Sequence, residues 1–210
     1  QWQLGLKKMS FKNHLVIESK LNDEAMSKLK SYIKNKKDKN YELAGNISNS
    51  FNLKDKNNWF FNNVLSSLIQ QYTDEDLKLI IPSILTKDCS FVLESIWVNF
   101  QNKYEFNPLH NHEGVFSFVV WIKIPSSYKK EKELDFIKGS NTPSPNTFEF
   151  IYTNILGHIC VKKFFLEPED EGTILLFPAN LTHQVYPFYL SNKKRISVSG
   201  NIKLDPTKII

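Results

Sequence analysis

The stretch Arg195-Ile196-Ser197-Val198-Ser199-Gly200-Asn201-Ile202 constrains the fold more than any other part of the chain. Read as a strand, its period of two puts Arg195, Ser197, Ser199 and Asn201 on one face and Ile196, Val198 and Ile202 on the other. The apolar face calls for a core. A row of polar groups facing inward on the opposite side is costly unless something polar sits against it. A small dicarboxylate would satisfy the guanidinium and the hydroxyls together. Arg195 is also the only arginine among 27 Lys+Arg. The planar guanidinium fork grips a carboxylate through two hydrogen bonds, whereas an ammonium acts as a point charge. The competing reading, in which Arg195 snorkels or pairs with a surface acid, leaves that singular arginine without a reason.

Two histidine-bearing stretches accompany this strand, His110-Asn111-His112 and Leu181-Thr182-His183. Residues two apart in an extended segment project to one face, so one metal ion can take both His110 and His112. An HxH pair alone is a weak signal. His183 strengthens it, because it follows a Gly-turn-strand-Pro unit, as a ligand from a neighbouring strand would. His14 and His158 lack a partner pattern and read as surface or packing residues.

Around these stretches the chain changes texture at about residue 90. Before it, Leu15-Val16-Ile17-Glu18 alternates as a short strand. Asn22-Asp23-Glu24 then opens a helix carrying Ala25, Met26, Leu29 and Ile33 at helical spacing. A second helix over about 58–72 shows Phe60, Phe61, Val64, Leu65, Leu68 and Ile69, and Asp74-Glu75-Asp76 starts a short third one. From residue 91 the β-formers dominate: 91–100, 115–124, 148–153, 158–165, 173–178 and 195–204 read as strands. Between them, 126–147 is polar and turn-rich, an exposed insertion. The expected organisation is a single domain, 1–210. In it, 1–88 is a helical N-terminal support and 89–205 a β barrel or sandwich.

Composition narrows the partners. The net charge of +5 comes from lysines scattered among acids and asparagines, with Lys34, Lys36, Lys37 and Lys39 the one dense run. This reads as a solvated surface rather than a nucleic-acid footprint. Cys89 and Cys160 are far apart and in no CxxC spacing, so both read as reduced core or near-core residues. No apolar run reaches the roughly 18 residues of a membrane helix. The first residues lack a signal-peptide pattern, and Met9 is a candidate natural start. A soluble, cytoplasmic protein is the expectation, with the oligomeric state open between monomer and homodimer.

Taken together, several motifs resemble the 2-oxoglutarate- and Fe(II)-dependent oxygenases, in the prolyl-hydroxylase-like branch frequent in marine phages and bacteria. They are Leu43-Ala44-Gly45-Asn46, Trp97-Val98-Asn99, Pro108-Leu109-His110-Asn111-His112, Gly114 to Phe118, Gly172 to Pro178, Leu181 to Val185 and Arg195 to Asn201. The resemblance spans roughly 41–204. It implies a double-stranded β-helix (a cupin-like jelly-roll) buttressed by N-terminal helices, with Fe(II), 2-oxoglutarate and O₂ as cofactor and co-substrates and ascorbate as a further candidate. By the same resemblance His110, His112 and His183 hold the metal. Arg195 and Ser197, twelve and fourteen residues beyond His183, hold the distal carboxylate of 2-oxoglutarate, with Asn99 as an added hydrogen-bond partner.

The implied reaction couples decarboxylation of 2-oxoglutarate to oxidation, by hydroxylation, of a small molecule or a peptide such as a prolyl one. Trp97, Phe118, Trp121 and Tyr186 would line the pocket. One departure stands out. The family's usual metal set is two histidines and a carboxylate, yet the residue two after His110 is His112. Either the site has three histidines, or a carboxylate comes from elsewhere, with Glu113 the nearest candidate. Two rivals remain: a three-histidine cupin-type enzyme that does not use 2-oxoglutarate, and a non-catalytic jelly-roll binding or structural module.

Overall fold

The computed structural model describes residues 15–36, 38–41, 45–81 and 89–209, the side chains of 208 and 209 excepted. His14, Met9 with the residues before it, and the Leu43-Ala44 pair lie outside the described residues.

Among the described residues ten strands form two antiparallel sheets, the jelly-roll layout that the family resemblance implied. The larger sheet holds β1 (Ile17–Lys20), β2 (Ser50–Asn52), β3 (Cys89–Gln101), β5 (Phe116–Lys123), β8 (Thr173–Pro178) and β10 (Arg195–Ile209), in the order β1-β8-β5-β10-β3-β2. The smaller holds β4 (Asn107–His110), β6 (Thr147–Thr153), β7 (Ile159–Phe165) and β9 (His183–Val185), in the order β4-β9-β6-β7.

The larger sheet is buried on both faces, and its alternation separates two chemistries. Even-numbered residues of β3, β5 and β10 (Ile96, Val98, Phe116, Phe118, Val120, Val198 and Ile202) pack outward against the helices. Odd-numbered ones face the smaller sheet. There Val119, Trp121, Leu175 and Phe177 meet Phe148 and Phe150 in a second apolar cluster. Farther along the same inner face, Arg195, Ser197, Ser199 and Asn201 line a cavity of about 630 Å³. Each of them stands beside an inward residue of β3: Gln101, Asn99, Trp97 and Ser95.

The helices form where the sequence places caps. Helix α1 (Asp23–Lys34) begins at Asn22, whose side chain accepts from the Ala25 N–H, and its first turn carries Asp23 and Glu24. Ala25, Leu29 and Tyr32 are its buried stripe. The expected helix at 58–72 is present in irregular form. A π turn over Phe61–Leu65 runs into α2 (Ser66–Ile69), and the Asp55 carboxylate caps the start by accepting from the Phe60 and Phe61 N–H groups. Phe60, Leu65, Leu68 and Ile69 bury the face read from the sequence. Helix α3 (Asp74–Ile80) opens with a reciprocal capping box between Thr73 and Asp76.

Between the second histidine and β5 the chain turns at Gly114, with φ +100°. A Cβ there would lie 2.7 Å from the Ile202 carbonyl oxygen, which already accepts from the Val115 N–H. Gly114→Ala therefore meets both a left-handed backbone and a backbone clash. It is expected to cost about 2 kcal/mol or more and to lower the thermal midpoint by about 4–8 °C; a melt within a degree of the parent contradicts this.

The insertion at 126–147 differs from its expected exposed character. It contains the short helix α4 (Tyr128–Glu131), and its inner side is buried: Ser126, Glu131, Ile137 and Asn146 are all under a tenth exposed. Polar residues read as solvent-facing are here satisfied by one another. Glu131 accepts from the Ser126 hydroxyl and from the Tyr189 and Leu190 N–H groups. No helix among the described residues is long and apolar enough to cross a membrane.

Candidate metal centre and anion pocket

His110 ends β4 and pairs directly with His183, the first residue of β9. His112 follows two residues on, its N–H anchored to the Ala179 carbonyl oxygen at 2.8 Å. Pairing of these short strands brings three imidazoles together, with ring centres 4.2 to 5.1 Å apart. One nitrogen from each lies within 4.8 Å of the others. Three nitrogens bound to one ion at ~2.1 Å sit about 3 Å apart, so modest ring rotations close the set.

The ring orientations suit that task. His110 Nδ1 donates to the Pro108 carbonyl oxygen at 2.7 Å, and His183 Nδ1 donates to that of Leu181 at 2.9 Å. Each bond is to the residue two before, and each leaves Nε2 as the bare lone pair. His183 is further held by a stack on Phe148 and edge contact with Phe177. Trp97 lies edge-on to His112 at 5.8 Å.

The imidazoles are neutral, as ligands must be. Burial, with the neighbouring imidazole of His110 second, pushes His112 down to about 4 and His183 down to about 3. Burial also lowers His110. The folded state thus resists protonation that the unfolded chain accepts below about 6.5. Stability of the metal-free protein is full above that pH and falls as the pH drops toward 4, because the unfolded state then binds more protons. A lower urea midpoint at about pH 5 than at about pH 7.5 is the expected result, with a shallower decline in His112→Asn; a flat profile sinks this assignment.

The three donors that converge are all histidines. Glu113, the alternative ligand, is exposed at the cavity rim and stands outside the cluster. His158 is exposed, and Cys89 and Cys160 are half-buried and form no disulfide.

Arg195, 2% exposed, lines the same cavity. Its Nε and Nη2 donate to Gln101 Oε1 at 3.1 and 2.8 Å, Nη2 also to the Tyr186 carbonyl oxygen at 2.8 Å, and Nη1 to Asn146 Oδ1 at 2.9 Å. Phe188 covers one guanidinium face. Burial pushes its pKa down to about 9, against a smaller upward pull from Glu131, and the group stays charged at neutral pH. Every acceptor around it is neutral.

Ser197 and Asn99 stand side by side in register on the cavity wall. Asn99 is 6% exposed and its Oδ1 lacks a partner. Trp97 and Trp121 line the cavity as expected, whereas the Phe118 ring packs on the helix side against Phe60 and borders the cavity only through its strand. Tyr186 does not: alternation from inward His183 turns its ring outward, 37% exposed, and only its carbonyl takes part, under Arg195. Gln101 and Asn146 went unrecognised in the sequence. Neither has a local signal, since register and the insertion bring them to Arg195 from 94 and 49 residues away.

Residues 95–201, about half the chain, match a family model of 2OG-Fe(II) oxygenases, 2OG-FeII_Oxy_5. No curated protein matched the sequence. Among solved structures, a prolyl-4-hydroxylase of Pseudomonas putida is similar at 12% identity and TM-score 0.51, over 90% of this chain and 92% of that one. A 2OG-Fe(II) oxygenase-family oxidoreductase from Burkholderia pseudomallei gives 10% identity and TM-score 0.49, over 90% and 85%. HygX from Streptomyces hygroscopicus, with nickel and 2-oxoglutarate bound, gives 11% and 0.47, over 90% and 82%. At these identities the first likeness speaks for the fold alone, and the family rests on the matched residues. Three imidazoles and a buried guanidinium bonded to neutral acceptors share one cavity of a jelly-roll, and the chain belongs to the 2OG-Fe(II) oxygenase family.

Proposed function

We propose that this protein is a hydroxylase in which His110, His112 and His183 bind Fe(II), and Arg195 with Ser197 binds the distal carboxylate of 2-oxoglutarate. One observation carries the reading: the three imidazoles and a buried guanidinium bonded to neutral acceptors open into the same cavity. Iron, when bound, supplies the O₂ activation that couples loss of CO₂ from 2-oxoglutarate to oxidation of the substrate.

The residues have separable tasks. The carbonyls of Pro108 and Leu181 orient two of the imidazoles. Arg195 and the Ser197 hydroxyl fix one end of the co-substrate, which leaves its oxo-acid end toward the histidines. Asn99, beside Ser197, offers an amide to the bound co-substrate. Trp121 and Phe177 keep that end of the cavity dry.

The substrate would enter past Trp97, where the wall is polar: Asn40, Asn52, Ser95, Glu94 and Glu113. Glu94 is already paired with Lys203. A wall of amides and carboxylates with one aromatic ring favours a polar substrate, neutral or cationic, either a small molecule or a peptide segment. A prolyl peptide is one such candidate, by analogy with the Pseudomonas putida neighbour. Two cysteines outside any disulfide agree with a reducing, cytoplasmic setting.

The test is anaerobic titration of the Fe(II)-loaded protein with 2-oxoglutarate. A weak visible charge-transfer band that is lost in Arg195→Ala supports the assignment. Iron binding with no band would instead point to a three-histidine enzyme that works without 2-oxoglutarate.

A further inference from the structure

The hydrogen bonds around Arg195 are unusual in what they omit. A buried guanidinium ordinarily meets a carboxylate. Glu131 is near enough to pull on Arg195, and the Glu105 carbonyl oxygen accepts from its neighbour Gln101, but neither carboxylate is bonded to the guanidinium. Glu131 spends its oxygens on Ser126, Tyr189 and Leu190. Glu105 spends its own on Ser48 and Asn102.

The side-on edge of the guanidinium, Nε with Nη2, is a position that a carboxylate fills bidentately. Here the single oxygen of a neutral amide fills it, that of Gln101, itself 4% exposed. The Gln101 amide nitrogen donates to the Glu105 carbonyl oxygen, which fixes the amide with its oxygen toward the arginine. Asn146 and the Tyr186 carbonyl take further hydrogens, and one Nη1 hydrogen remains without a protein acceptor.

We propose that Gln101 sets the anion specificity of this pocket: as a neutral acceptor it orients Arg195 without neutralising it, so the full positive charge is kept for a dicarboxylate. The inference rests on the reading of Arg195 as the co-substrate's partner. Gln101 is a positioning residue, acting through Arg195. A carboxylate at the same position would pair with Arg195 internally, though without the donor that Gln101 gives the Glu105 carbonyl oxygen, and the pocket would then be closed to anions.

The variant Gln101→Glu makes that change without altering size. The probe is glutarate, a dicarboxylate that lacks the oxo group and so reports the distal pocket apart from chelation. The full chain is melted with and without glutarate, and the KM for 2-oxoglutarate is measured on the iron-loaded protein. The parent melts higher with glutarate, as any ligand of the folded state requires. Gln101→Glu is expected to melt higher than Gln101→Leu without ligand, to lose most of the glutarate shift, and to raise the KM roughly 30-fold or more.

Gln101→Leu is the companion variant. It removes the acceptor but leaves the charge, so it should melt lower than the parent while binding glutarate better than Gln101→Glu does. Opposite rankings for stability and binding are the signature that a merely structural glutamine would not give. The proposal is overturned if Gln101→Glu binds glutarate within about threefold of the parent, or if it falls below Gln101→Leu in stability as well as in binding. A parent that turns over 2-oxoglutarate but shows no glutarate shift overturns this inference and leaves the proposed function standing. A parent that shows neither overturns both.

Discussion

His183→Ala is expected to abolish stable iron binding and to lower turnover by roughly a thousandfold or more, since loss even of groups that only orient metal ligands costs 10- to 100-fold. The side chain is 3% exposed, and its nitrogen is aimed by the Leu181 carbonyl. Truncation also removes the ring that Phe148 and Phe177 pack against, and part of any loss will come from that cavity. His183→Gln keeps most of the volume and isolates the ligand's contribution. Iron per chain after anaerobic loading is the measurement. A glutamine variant that holds iron and turns over within tenfold of the parent would remove His183 from the ligand set.

Arg195→Ala is expected to raise the KM for 2-oxoglutarate by about 100-fold or more, the scale on which removing one member of a buried charged contact acts. It should also destabilise the fold. Gln101 Oε1, Asn146 Oδ1 and the Tyr186 carbonyl would lose their donor inside a sealed region, at a cost of about 3 kcal/mol or more. In a chain of this length that corresponds to about 6–12 °C in the thermal midpoint. Arg195→Lys keeps the charge but cannot reach three acceptors on two sides, so most of the stability loss should persist. Succinate formation against co-substrate concentration, paired with melts, separates the two effects. An unchanged KM in the alanine variant would move the carboxylate site elsewhere.

What the sequence disclosed and what it hid have physical causes. The central strand was legible because both of its faces are buried in different chemistry: Val198 and Ile202 against the helices, Ser197 and Ser199 against the cavity. The histidines were legible because extended spacing alone puts two on one face. The strands β2, β4 and β9 carry only three or four residues each and no period of their own. Their partners hold them, and a partner is not a local signal. Asn146, with φ +52°, donates to the Ser126 and Leu166 carbonyl oxygens while accepting from Arg195. A residue of that type in a Pro- and Ser-rich stretch looks like a turn, and its burial is decided entirely by tertiary contacts. Tyr186 was misread for a simpler reason, since counting by twos from His183 already turns its ring outward.

The two halves of the site stand on unequal ground. Arg195 and Ser197 belong to β10, which is paired along both edges and covered on both faces. His110 belongs to β4, an edge strand joined to β9 through an irregular register. Local opening of an edge strand needs far less free energy than opening a central one. On the proposed assignment the carboxylate clamp therefore sits on the part of the barrel that opens last, whereas His110 sits where opening costs least and where a bound ion would add most. Gain and loss of the metal would then follow breathing at the rim of the barrel, with the clamp on the central strand still in place.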